Sequence, residues 1–202
     1  MEEKEFPWPE KGDQLFQSGE DWQLSSYIEP WNKDFHAYAE GYKLAADIVA
    51  DEVTATDIEH RTTRDYVAYP VIYMYRHYIE LRLKEIILVG NRLYGMPQGL
   101  PKHHKIKELW THARGILNNI SSKDDLDVAG DCINEFSTMD PDSESFRYPI
   151  TRDGKPSIQQ DRVVISLRHL REVMTRLGSF LDSSSDYLGI LYNEKKSLED
   201  NY

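Results

Sequence analysis

The 202-residue chain has a single cysteine, Cys132, so no internal disulfide can form and packing must supply its stability. That usage suits a reducing cytoplasm, the expected location. No run of about 18 apolar residues is present, which excludes a membrane-spanning helix and makes a membrane partner unexpected. The opening Met1-Glu2-Glu3-Lys4-Glu5 has neither the basic patch nor the apolar stretch of a secretory signal. No segment alternates apolar and polar residues between turn signals, so the expected class is all-α. Nucleotide and hydrolase signatures are missing as well. There is no Gly-x4-Gly-Lys, no Gly-x-Gly-x-x-Gly and no Gly-x-Ser-x-Gly. Bases are scarce, 24 against 35 acids. The net charge of −11 makes nonspecific nucleic-acid binding unfavourable, because phosphate repels the long-range field.

The charge is unevenly spread. Residues 1–58 carry 14 acids and 4 bases, residues 59–120 carry 5 and 10, and residues 121–202 carry 16 and 10. The middle stretch either receives a phosphate or simply solvates the surface. Phe6-Pro7-Trp8-Pro9, Gly12 and Gly19 break helix, while Trp8, Trp22 and Trp31 need cover. Residues 1–32 therefore read as an irregular aromatic arm packed on a helical core. Apolar spacing predicts helices over about 33–53, from Pro70 to about Val89, over 104–119, from Asp124 or Asp125 to about Thr138, and over Gln159–Asp182. Met139 to Ser157, rich in Asp, Ser, Pro and Gly, reads as a long loop. The expected architecture is an up-and-down bundle of four to five helices over 33–185. Residues 186–202 read as a tail with a short turn of helix around Leu188–Leu191.

The segment from Tyr69 to Ile87 carries the most information. Ile72, Tyr75, Ile79, Leu83, Ile86 and Ile87 share one helical arc, and Arg76 falls inside it with Glu80 at its edge. A guanidinium on an apolar stripe needs an acceptor. Glu80, one turn on, is the nearest, either as a buried pair that fixes register or as the group that turns Arg76 toward a bound phosphate. Arg147, in Ser145-Phe146-Arg147-Tyr148-Pro149, either pins its loop to the bundle or contacts a phosphate or nucleotide. His104, Glu108 and His112 share a helix face, but the two imidazoles are about 12 Å apart by helical rise and form no metal motif. Asp124, Asp125, Asp127 and Asp131 lack the glycine and terminal Glu of a calcium loop. No metal or cofactor is expected.

Arg76-His77-x-x-Glu80-x-x-x-Lys84, the helix-opening His104 with Leu109 and Trp110, the Ser145–Pro149 segment and Leu170-Arg171-Glu172-Val173 together resemble the HEPN superfamily of helical bundles over roughly residues 35–182. The resemblance implies a homodimer and a role in phage defence or a toxin–antitoxin system. Catalytic members of that family are metal-independent ribonucleases with an Arg-x4–6-His motif paired across a dimer. Arg162 and His169, with six residues between them, fit the spacing on the fifth helix, although Val163 stands where the motif carries a polar residue. The candidate catalytic pair is thus Arg162 and His169, and the candidate phosphate- or ligand-binding set is Arg76, His77, Glu80, Lys84 and Arg147. Two functions stay open. One is a non-catalytic or weakly catalytic module binding a nucleotide, an RNA phosphate or a protein partner. The other is a ribonuclease in which His169 moves a proton and Arg162 steadies the phosphate.

Overall fold

Apolar residues three and four apart bury one face of each helix, and this spacing builds the bundle. The computed structural model describes residues 8–9, 11–16, 22–28, 35–55, 61–159 and 163–200. The chain divides into two compact units, residues 1–33 and 34–202. The first contains a 3-10 turn at Trp22–Leu24, closed by the Ser25 N–H donating to the Trp22 carbonyl. Among the described residues the second holds five helices: α1 Phe35–Ala55, α2 Arg61–Leu93, α3 Ile106–Leu117, α4 Lys123–Met139 and α5 Leu167–Glu199. Among the described residues there is no strand, only an isolated bridge between Ile150 and Pro156. The fold is an all-α helical bundle.

Helix α2 is its centre. Tyr75, Tyr78, Ile79, Leu83, Ile86 and Ile87 are fully buried, and α2 packs against α1, α3 and α5. Cross-helix bonds give the directions. Val53 meets Arg64, Asp47 meets Tyr75, and Glu40 meets Arg82, so α1 runs antiparallel to α2. Tyr78 meets Gly178 and Leu93 meets Lys195, so α5 runs parallel to α2. His104 sits beside Arg76 and Glu80 while Ile116 sits beside Gly90, so α3 is parallel to α2 as well. The up-and-down alternation is therefore interrupted once. Residues 94–105 carry the chain back along α2, a return of about 25 Å that an extended dozen residues can span.

Five boundaries differ from the sequence expectation. Helix α2 starts at Arg61 rather than Pro70, which lies inside it. Proline there forfeits one backbone bond, yet Val67 and Ala68 pack on the core and Arg64 bonds α1, so tertiary contacts carry the helix through. Gly90 does not stop α2 either. A Cβ at that position would collide with the Ile116 side chain, so glycine is there to admit α3. Helix α4 is capped by Ser122, whose Oγ accepts from the Asp125 N–H at 3.2 Å, rather than by Asp124 or Asp125. Helix α5 starts at Leu167, capped by Ser166, and continues to Glu199 through Ser183-Ser184-Ser185, taking in most of the expected tail. Ser184 and Ser185 are buried, small residues at a packed face.

Candidate functional site

Helix α2 carries Arg76, Glu80 and Lys84 on successive turns, and the fold brings the start of α3 and the loop after α4 onto them. Glu80 is the hub, 1% exposed. Its Oε2 accepts from Arg76 Nη1 at 3.2 Å, and its Oε1 accepts from Lys84 Nζ at 2.8 Å. His104 Nδ1 lies 2.8 Å from the same Oε1. Arg76, fully buried, spends its other nitrogens on backbone. Nε donates to the Asp140 carbonyl at 3.1 Å and Nη2 to the His104 carbonyl at 2.7 Å. The Asp140 carboxylate completes the charge balance, with Oδ2 3.3 Å from Arg76 Nε. Its Oδ1 accepts from the Glu144 and Ser145 N–H groups, which turns the chain into the loop bearing Arg147. Burial alone would raise the Glu80 carboxyl, but the hydrogen bonds from Lys84 and His104 outweigh it and hold the group below the usual carboxylate range.

A more open wall lies beside this network. Tyr73 stacks on His77 with centroids 5.6 Å apart, and Tyr42 of α1 meets His77 edge-on at 4.5 Å. The Arg147 guanidinium lies 5.5 Å from the ring centres of both Tyr73 and Tyr148. Its Nε donates to the Ser143 carbonyl at 2.5 Å, and among the described residues nothing bonds its two Nη groups. Burial pushes His77 below its ordinary range, and Lys84, Arg76 and His104 add to that against the pull of Glu80. Burial also raises the Tyr73 phenol, helped by Tyr42. The arrangement offers an outward cationic fork, a neutral imidazole and a second imidazole at His104, all braced on a buried ion network. Such a surface can take a phosphate.

The sequence-derived residues thus fall into two places. Arg76, Glu80 and Lys84 meet in one cluster, and His77 and Arg147 converge on Tyr73 beside it. The buried-pair reading of Arg76 and Glu80 is met, with Asp140 as a second acid. His169 lies elsewhere, exposed in the first turn of α5. It lines a groove of about 350 Å³ walled by Phe136, Met139, Phe146, Ile165 and Leu170, whose described lining contains no Lys or Arg and one acid, Glu135. Arg162 lies outside the described residues. Helix α5 begins at Leu167 rather than Gln159, and residues 163–166 before it are not helical, so the expected helix carrying both residues is not found there. Cys132 also lines the groove, its thiol pushed up by burial and by Glu135. His104 and His112 do not converge. His104 turns to Glu80, while His112 lines another hollow with Tyr94 and Met96.

Sequence reasoning missed Asp140, Tyr73 and Tyr42 as parts of the site. Tyr73 and His77 are one turn apart, a signal that was available. Asp140 reaches Arg76 across 64 residues, and no local pattern announces it. A second polar cluster was missed too. Buried Arg82 is met by Glu40, Glu85 and Asp182, and Tyr78 donates to Asp182 at 2.6 Å. One guanidinium thus ties carboxylates of α1, α2 and α5 together, which makes the cluster a structural clamp. Compared with family models, curated proteins and solved structures, the chain matches none.

Proposed function

We propose that the protein is a phosphate-recognising module that binds a nucleotide at the wall formed by Tyr73, His77, His104, Tyr148 and Arg147. The observation that carries this reading is the Arg147 guanidinium. It is oriented by two tyrosine rings and the Ser143 carbonyl, yet both Nη groups are left for an anion. An arginine that only pinned its loop would spend those nitrogens on protein oxygens, as Arg76 spends its own on the Glu80 carboxylate and the His104 carbonyl. The net charge of −11 favours a compact phosphate ligand over a long polyanion. Resemblance of the Arg76–Lys84 helix to HEPN bundles points the same way. Ribonuclease action through Arg162 and His169 is the weaker reading, because the described walls around His169 are apolar. The resemblance also implies a homodimer, for which Leu44 and Ile48, exposed one turn apart on α1, offer an apolar contact. Isothermal calorimetry with ADP tests the main reading. The wild type should bind, Arg147→Ala should lose binding at least tenfold, and Arg147→Lys should not restore it. Equal binding by wild type and Arg147→Ala overturns the assignment.

A further inference from the structure

His104 is also an aimed side chain on this wall, and phosphate binding at Arg147 does not use its aim. Its ring is held at Nδ1 by Glu80 at 2.8 Å, and its own carbonyl is held by Arg76 at 2.7 Å. A carboxylate only accepts, so Nδ1 carries the hydrogen and Nε2 keeps a lone pair. The side chain is 60% exposed, against 1% for Glu80. A buried acid therefore steers an open imidazole whose outer nitrogen is basic. A histidine serving only to start α3 needs no such steering, since the helix takes no side-chain cap at Lys105.

The chemistry of the neighbours limits the substrate. His77 is kept neutral by burial, Tyr73 is a weakened acid, and the Lys84 ammonium is bonded to Glu80. The wall thus has one aimed base and no ready acid. A reaction there needs a leaving group that departs without a proton, as a phosphate does and an alkoxide does not. We propose that His104 is a general base that activates water against the terminal phosphoanhydride of a nucleotide held by Arg147, an activity that rests on the phosphate-binding reading above. The water oxygen bonds to phosphorus as the bridging P–O bond breaks. The bond's electron pair leaves on the nucleoside diphosphate, and the water proton passes to His104 Nε2. Glu80 faces the imidazolium so formed, and Arg147 faces the phosphoryl oxygens.

The test uses the full chain with ATP and magnesium chloride, reading phosphate release, beside calorimetry with the β,γ-imido analogue. Wild type should release phosphate. His104→Asn should lose at least about 100-fold in rate, well beyond any loss in its affinity for the analogue, which should stay under about tenfold. Analogue binding by the wild type without phosphate release overturns the general base and leaves the binding reading intact. Neither binding nor release overturns both, and undiminished release by His104→Asn overturns the base alone. If that variant does not fold, nitrogen-15 spectra of the wild type decide: a hydrogen on Nδ1 supports the assignment, and one on Nε2 overturns it.

Discussion

Replacing Glu80 with alanine probes the network on which the whole wall is braced. The substitution removes the acceptor of Arg76 Nη1 and Lys84 Nζ and the partner of His104 Nδ1 in one step. Two cations remain, Arg76 at 0% and Lys84 at 7% exposure, with Asp140 alone to answer them. Breaking a buried pair in this way costs about 3–5 kcal/mol, because a charge is left in low dielectric without a partner. A domain of this size loses about 2–4 °C of Tm per kcal/mol, so the melting point should fall by about 6–20 °C. Glu80→Gln keeps one acceptor oxygen and should fall by less than half as much. Differential scanning calorimetry at pH 7 reads both. A drop below about 2 °C in Glu80→Ala would refute the claim that this carboxylate holds the centre of the bundle together.

Other outcomes follow from the same contacts. The Glu80 carboxyl titrates below its unfolded value of about 4.3, so its stabilisation is complete above that pH and drains away as pH falls through the lower folded value. Urea melts of Glu80→Gln should accordingly show a flatter acid limb than wild type. His77 is shifted down from about 6.5, so the unfolded chain takes its proton first and stability falls as pH drops below that value. His77→Phe should remove that part of the slope in the same melts. Gly90→Ala should cost about 1–3 kcal/mol through overpacking on Ile116, and Ile116→Val in the same chain should recover part of it. Arg147→Ala should leave Tm within about 2 °C in plain buffer, since its guanidinium makes one hydrogen bond and two ring contacts at an exposed loop.

The helices were largely legible because their buried faces repeat every three to four residues, as Ile106, Leu109, Trp110, Ala113, Ile116 and Leu117 do on α3. What escaped the reading depended on contacts distant in sequence. Pro70 looks like a helix start until Arg64 is seen bonding α1, and Asp182 looks like the end of the fifth helix until Ser184 and Ser185 are seen buried beyond it. The same holds within the site. Arg76 and Glu80 are one helical turn apart and betray each other, whereas Asp140 and the His104 ring arrive from other elements. Arg147 stood out as a charge in an apolar loop. Only the structure shows that its guanidinium lies against the Tyr73 and Tyr148 rings while its Nε donates to the Ser143 carbonyl.

The central claim is that phosphate binds at the wall of Tyr73, His77, His104 and Arg147 rather than in the groove beside His169. Carbon-13 labels in the histidine rings place a reporter at both sites in a single unmutated protein. On titration with ADP, the ring signals of His77 and His104 should shift together and saturably while that of His169 stays in place. Movement of His169 alone, or of none of the three, would contradict the account.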